Sequence, residues 1–288
     1  MLMRRGATLA ELLVALTLAG LVLGTASRSV LLQQRTARHL AGSASADAQS
    51  RGASELLRAQ LSAADPKAGD LSSEQSDTAL QLRAPVALGV VCASSAGVVA
   101  VSVDDRENSS IGVTFSPPRA GDSLWWYPGG GSPWVGRRLS NASTGEDECR
   151  PLGTAAAPSL RLQLASVDTV PPGTPARITR QLRYDLYRGS DGRWYLGSRD
   201  WSDAMHRFAP PQPIAGPFIR QAPNGEWTGF AFFDENDLEL PAVNRASDAA
   251  RVARIRLTLW SGGAVTQALG DDVRRELIEV AVRGHGPI

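Results

Sequence analysis

The chain is poor in lysine, histidine, cysteine and aromatic residues, and these shortages narrow the possible functions. Lys67 is the single lysine among 30 basic residues, which we interpret as the arginine bias of a GC-rich genome. Because 29 acidic residues bring the formal net charge to +1, the chain lacks the basic excess that binds nucleic acid. No nucleic-acid partner is predicted.

Motifs that carry catalytic chemistry are also missing. The three histidines, His39, His206 and His285, are far apart and do not form an H-E-x-x-H pattern. The glycines at 129–131 lack the Lys-Ser/Thr of a phosphate-binding loop, and there is no G-x-S-x-G or dinucleotide motif. We therefore predict a protein that is not an enzyme and that has no cofactor.

One acidic cluster has two interpretations. Asp234, Asn236, Asp237 and Glu239 could offer oxygen ligands to calcium, but the glycine and the distal glutamate of an EF-hand loop are missing. A solvated hairpin turn explains the same residues, and we favour it. No metal site is predicted.

The first 27 residues combine a basic start with an uncharged apolar run. Arg4 and Arg5 precede Gly6, and no residue from 12 to 27 carries a charge. On hydropathy this run belongs in a bilayer, with the arginines on the cytoplasmic side. Glu11 is costly at the edge of such a span unless a cation neutralises it, and the nearest candidate is an amine made by cleavage.

The run from Gly6 to Leu16, with Glu11 as the fifth residue after the glycine, resembles the cleavage and methylation segment of type IV pilins and type II secretion pseudopilins. In that family a prepilin peptidase cuts after the glycine and methylates the new amine. The resemblance implies that Gly6 ends the leader, that Ala7 is the new N-terminus and that Glu11 meets the N-terminal amine of a neighbouring subunit. Major pilins usually have Phe at the position of Ala7, so a minor subunit is favoured.

Two other interpretations of this segment stay open. A secretory signal peptide would be cut after Ala26, and an ordinary single-span anchor would not be cut. Neither gives Glu11 a role.

Cys92 and Cys149 are the only cysteines. In an exported body two cysteines more often pair than stay free, so we predict a disulfide between them. The alternative is two buried, unpaired thiols.

Residues 27–64 lack proline and are rich in Ala, Leu, Gln and Arg, so a helix is predicted to continue to Asp65-Pro66. After cleavage at Gly6, a helix over 7–65 would be roughly 85 Å long. An apolar face on its outer half consists of Leu40, Ala44, Leu57 and Leu61.

After Pro66 apolar and polar residues alternate, which predicts short strands. The clearest hairpin joins strands at 178–187 and 193–196 through a turn at 190–192. Two late strands are predicted to pair antiparallel, with their core residues side by side: Ile255, Leu257 and Leu259 next to Ile278, Val280 and Val282. We expect a loop over 141–158 and an irregular, proline-rich segment over 205–217.

These elements predict an α+β, pilin-like fold in which a long N-terminal helix packs on an antiparallel β-sheet body. The domains would be a leader (1–6), a helix (7–65, with 7–30 transmembrane) and a periplasmic β-rich body (66–288) divided near 170–175. Size and layout resemble the larger minor subunits, namely the J-type pseudopilin or the PilW-like minor pilin.

The resemblance implies a minor pilin or pseudopilin that assembles into, or primes, a type II secretion pseudopilus or a type IV pilus. Its partners would be prepilin peptidase, other pilin or pseudopilin subunits and the inner membrane. Before entering the filament it would span the bacterial inner membrane once, with a cytoplasmic N-terminus and a periplasmic body. The alternatives are a membrane-anchored periplasmic binding domain that does not polymerise, and a secreted enzyme that begins at Ser27.

Overall fold

A computed structural model describes residues 51–103, 112–129, 134–145, 149, 159–261 and 274–282, together with positions 16, 23, 28, 33 and 34. The chain divides into two compact units, Met1–Ser50 and Arg51–Ile288. In the first unit the five described positions are each helical and exposed. All further structural statements concern the second unit, which we call the body.

The body contains two helices and thirteen strands in its described residues. The helices are α1 (51–62) and α2 (Ala246–Ala249). The strands are β1 (Ala79–Ser95), β2 (Val98–Ser102), β3 (Val113–Thr114), β4 (Ser123–Trp126), β5 (Val135–Gly145), β6 (Ser159–Leu164), β7 (Pro175–Arg188), β8 (Trp194–Ser202), β9 (Arg207–Phe208), β10 (Gln212–Phe218), β11 (Gly229–Phe233), β12 (Arg254–Ser261) and β13 (Arg274–Ala281).

Six strands form a closed antiparallel ring in the order β7, β4, β5, β6, β2, β1, because β1 also pairs with β7. The residues that point into the ring are apolar and buried, as period-two alternation requires. They include Val91, Val101, Leu124, Leu162 and Ile178. Where β1 turns into β2, Ala96 and Gly97 both have positive φ, the conformation of a two-residue hairpin turn that matches strand twist.

β1 and β7 run on beyond the ring and join β8 and β10 in a sheet. This sheet shares a second core with the three-stranded sheet β11-β12-β13 and with one face of α1. The α1 residues in this core are Ala53, Leu57 and Leu61, whose spacing of four places them on one helix face. Tyr184 on β7 donates a hydrogen bond to Gln60 Oε1 (2.5 Å) beside this face.

The prediction of a pilin-like α+β fold with a long N-terminal helix is wrong. Antiparallel sheet dominates, with 52% strand against 10% helix, and no long N-terminal helix is found among the described residues. The physical reason is that the apolar faces of the strands cover one another, inside the ring and between the two sheets, and the described part of α1 contributes one face to one of these cores. Most of the predicted helix at 7–65, including Leu40 and Ala44, lies outside the described residues.

No helix in the described part of the chain is long and apolar enough to cross a membrane. The described part of α1 carries the charged residues Arg51, Glu55 and Arg58. This corrects the prediction of a transmembrane helix and of a single-pass inner-membrane location with a periplasmic body. Of the predicted span 7–30, only positions 16, 23 and 28 are described.

Several local predictions are confirmed. β7 and β8 form the predicted hairpin, and β12 pairs antiparallel with β13, with Ile255 opposite Val280 and Leu257 opposite Ile278. The segment 205–217 is not irregular as predicted, since it contains β9 and most of β10. Proline is compatible with β10 because this strand lies at the edge of its sheet.

Candidate functional site

The three residues predicted to direct processing and assembly, Gly6, Ala7 and Glu11, lie outside the described residues. Their roles therefore stay predictions.

The predicted disulfide is confirmed, since Cys92 and Cys149 are bonded to each other. Both are buried, at 3% and 2% exposure, and they pack with Ala100 and Ala93. The bond ties β1 to the segment that follows β5, across a sequence separation of 57. Disulfides persist in oxidising compartments and are rare where thiols are kept reduced.

One concave surface in the described body is an open groove with a volume of about 680 Å³. Its walls come from the turn before β4, the middle of β5, the second half of β8 and the segments that follow β8. Residues from these elements that the groove exposes include Arg119, Gly121, Ser140, Ser198, Trp201 and Gln212. We refer to this surface as the β8 groove.

Two arginine–aspartate ion pairs lie at the β8 groove. Arg119 contacts Asp200 at 2.5 Å, and Arg138 contacts Asp203. Asp203 also accepts a hydrogen bond from Trp201 Nε1 (2.9 Å), which fixes the plane of the indole ring. Each pair is partly exposed, so it contributes at most about 1 kcal/mol to stability. Together the pairs present both charge signs to a ligand.

A close backbone approach shapes one wall of the β8 groove. Gly121 has φ +91°, and a Cβ at this position would lie 2.4 Å from Asp203 Oδ2. Only glycine therefore fits both the left-handed backbone and the neighbouring carboxylate. A side chain at Gly121 would move Asp203 and with it the ion pair to Arg138.

A buried ion pair between Asp122 and Arg180 stabilises the turn that carries Arg119 and Gly121. Asp122 is 2% exposed, and its two carboxylate oxygens accept hydrogen bonds from Arg180 Nε (2.8 Å) and Nη2 (2.9 Å). Asp122 Oδ2 also accepts the backbone N–H of Arg119 (2.9 Å). The hydrogen bond to Asp122 raises the pKa of the Arg180 guanidinium. This bidentate pair orients the turn that carries Arg119.

A second charged cluster lies where the segment after α1 meets β1, β4 and β7. Asp70 Oδ2 accepts hydrogen bonds from Arg177 Nη1 (2.7 Å) and from the backbone N–H of Asp65 (3.0 Å). Burial raises the pKa of Asp70, against the opposing attraction of Arg177. Arg83 lies over the Trp125 ring at 4.3 Å, and burial lowers its pKa. The cluster is a packed core feature, since the Asp70 side chain is 2% exposed.

The acidic cluster that could have held calcium forms a turn after β11. Asp234 Oδ1 accepts the backbone N–H groups of Asn236 (2.9 Å) and Leu238 (3.1 Å), and Oδ2 accepts Arg251 (3.1 Å). Asp237 pairs with Arg254. In the residues that the structure describes, no group of three or more His, Cys, Asp or Glu side chains could hold a metal ion. His206 lies in an exposed turn, and His39 and His285 are outside the described residues.

Comparison with known proteins gave no match to any family model, curated protein or solved structure. The resemblance to pilins and pseudopilins therefore depends on the N-terminal residues alone.

The β8 groove combines paired charges with the indole ring of Trp201. Its charged groups form ion pairs with each other, so the charges of Asp200 and Asp203 are neutralised by arginines. Sequence reasoning missed this site because its walls come from segments between 119 and 212 that are distant in the chain. The nearest sequence signal was Gly121, a turn residue two positions before β4.

Proposed function

We propose that this chain is a minor subunit of the pilin and pseudopilin class. It is a structural, non-enzymatic subunit that assembles into, or primes, a type II secretion pseudopilus or a type IV pilus after processing by prepilin peptidase. The observation that carries this proposal is the N-terminal run in which Gly6 is followed by Ala7 and, at the fifth position, by Glu11. Cleavage after Gly6 would make a new amine at Ala7, which the peptidase then methylates.

Glu11 would be the residue that selects neighbours during assembly. No other residue between 6 and 27 carries a charge, so packed N-terminal segments create a surrounding of low dielectric constant. In that surrounding a carboxylate without a cation is strongly unfavourable, and the Ala7 amine of a neighbouring subunit supplies the cation. Glu11 would therefore pair only with a neighbouring subunit whose Ala7 amine lies at the same height as the Glu11 carboxylate.

The body would act as the surface that other subunits contact. Its disulfide, its closed ring of strands and the buried Asp122–Arg180 pair support a rigid body, and the β8 groove presents paired charges and Trp201 to a partner. These features support the proposal without identifying the partner subunit.

The proposal is tested by the N-terminus of the protein in its native host. Mass spectrometry should find a mature chain that begins at Ala7 with a methylated amine. Gly6→Val should retain the leader, whereas Gly20→Val, a matched change outside the junction, should be processed normally. A mature N-terminus at Ser27 would contradict the proposal, because it indicates a signal peptide cut after Ala26.

A second candidate function is a binding domain that does not polymerise, and the β8 groove is the observation that favours it. Crosslinking separates the two candidates. A cysteine placed at Thr8, near Glu11, should link to other pilin-like subunits if the chain enters a filament. A binding domain should give no such product, although its body is intact.

A further inference from the structure

The outer edge of β13 is the feature that carries a further inference. β13 pairs along its whole length with β12, from Arg254 opposite Ala281 to Ser261 opposite Arg274. In the three-stranded sheet it is a terminal strand, and among the described residues no strand pairs with its other side. Such an edge is a template for a further strand.

The hydrogen bonds show which residues of β13 point outward. The backbone N–H of Val282 bonds to the Ala253 carbonyl (3.0 Å), so even-numbered positions face β12. On the other side of β12, Trp260 uses its N–H for Thr228 Oγ1 (3.1 Å) and its carbonyl for the N–H of Ile219 (2.7 Å). The backbone groups of Trp260 therefore point away from β13. Because Trp260 lies opposite Arg275, this again places the backbone groups of the odd-numbered β13 residues on the outer side.

The odd-numbered positions of β13 consequently direct their backbone groups away from the sheet. One of them has a partner, since Arg58 Nη1 of α1 donates to the Glu279 carbonyl at 3.5 Å, a long and exposed contact. This contact lies on the outer side of the strand and confirms the parity. Arg275 and Leu277 extend the same edge.

Side-chain exposure separates the two faces of β13. Ile278 and Val280 point into the core at 1% and 8% exposure. Leu277 is 40% exposed, and the Arg275 and Glu279 side chains are 46% and 32% exposed. An apolar residue thus lies between a cation and an anion on the accessible face, at positions two residues apart. Within one chain Arg275 pairs with Glu226, and Glu279 pairs with Arg254 and Arg256, so a partner strand adds to or exchanges these ion pairs.

This pattern is complementary to itself. If two β13 strands meet antiparallel about a two-fold axis at Leu277, then Leu277 lies opposite its own copy. Arg275 then lies opposite Glu279 of the second copy, twice by symmetry. All three positions have outward backbone groups, so the arrangement forms about six inter-strand hydrogen bonds. Opposite charges and apolar pairs directly across two strands are both favourable.

We propose that β13 is a homodimerisation edge, at which two copies of this chain pair their β13 strands antiparallel and in register at Leu277. The exposed contact from Arg58 is displaced in the dimer. The proposal does not depend on cleavage at Gly6 or on filament assembly, because it uses only residues of the body.

A single cysteine at the two-fold axis tests the proposal on the full-length chain. Because both native cysteines are in the disulfide, Leu277→Cys adds the only free thiol. Directly opposite residues have Cα atoms about 5.5 Å apart, within reach of a disulfide. Mild oxidation should convert most of the protein to a covalent dimer on a non-reducing gel. Val167→Cys, at an 86% exposed position away from β13, is the control for random collision and should stay monomeric.

Charge reversal tests the register. Arg275→Glu in the Leu277→Cys background places like charges opposite each other twice and should slow dimer formation roughly tenfold. Arg193→Glu, a charge reversal at a similarly exposed position in the β7–β8 turn, should leave the rate unchanged. Thermal melting confirms that each variant is folded.

Three outcomes would overturn the proposal. The first is crosslinking of Leu277→Cys that is no faster than that of Val167→Cys. The second is a linked peptide that comes from a different protein, which would make the edge a site for another chain. The third is an unchanged rate for Arg275→Glu, which would exclude the register at Leu277. Normal dimer formation by a Gly6→Val chain would show that the edge acts independently of processing.

Discussion

Truncation of Leu57 tests whether α1 is an integral part of the body. Leu57 is 1% exposed and packs in the core shared by α1 and the two sheets, whereas its neighbour Leu56 is 40% exposed. The two leucines are in the same helix, one position apart. Leu57→Ala and Leu56→Ala therefore change the same atoms and the same helix propensity but differ in burial.

The expected cost follows from the atoms removed. Each buried methylene contributes about 0.8 kcal/mol, and Leu→Ala removes about three carbons, so the transfer contribution is about 2.4 kcal/mol. The cavity left among strands that cannot collapse raises the total for Leu57→Ala to about 3 kcal/mol. Leu56→Ala should cost less than about 1 kcal/mol, because the Leu56 side chain is partly in solvent and its removal leaves no cavity in the core.

Urea unfolding monitored by tryptophan fluorescence measures this difference. Trp260 is 8% exposed in the same part of the body and reports on its loss of structure. With a urea dependence of about 1–3 kcal/mol per molar, the midpoint for Leu57→Ala should fall by at least about 1 M. If Leu57→Ala and Leu56→Ala lower the midpoint equally, α1 is not docked through its Leu57 face and the reasoning is refuted.

Three further predictions concern the disulfide, one buried carboxylate and Glu11. Replacing Cys92 and Cys149 together by serine should cost about 4 kcal/mol in the free energy of unfolding, from chain entropy over a separation of 57, and an effect below about 1 kcal/mol would contradict this. Because burial raises the pKa of Asp70 in the folded state, its contribution to stability is fully present below the unfolded pKa and is lost as pH rises through the folded pKa. The free energy of unfolding of the native chain minus that of Asp70→Asn, measured in urea at a series of pH values, should therefore decrease from acid to neutral pH, and a flat difference would refute the assignment. Glu11→Ala should be processed normally but be missing from sheared filament fractions, and normal incorporation would contradict the charge-pair account.

The local β structure could be predicted from the sequence because it depends on neighbours. The alternation of Ile255 and Leu257 against Ile278 and Val280 gives each strand one apolar face, and burial of that face fixes the register between β12 and β13. The β7–β8 hairpin could be predicted because its strands also alternate and are adjacent in the sequence. Gly192 has a positive φ in the turn that joins them. The pairing of Cys92 with Cys149 needed only their number.

The larger arrangement could not be predicted because it depends on contacts between distant segments. Nothing in β1 indicates that it pairs with β7, which closes the ring, because the two strands are far apart in the sequence. The β8 groove could not be predicted either, because Arg119 and Asp200 come together only when β4 and β8 both pair with β7. The fold class was wrong because the composition of residues 27–64 was given more weight than the two cores that the strands build by themselves.

The long β1–β7 pairing has a consequence for the order in which the body is completed. β1 is synthesised before most of the body, and it can form a hairpin with β2 as soon as both strands have left the ribosome. Its first half, from Ala79 to Ala84, pairs with β7, from Arg180 to Asp185, and so waits until most of the body has been synthesised. Non-local strand pairing is slow and leaves an apolar edge unprotected in the meantime. A nascent chain that stops before β7 would therefore expose the first half of β1, and we expect chaperones to bind there.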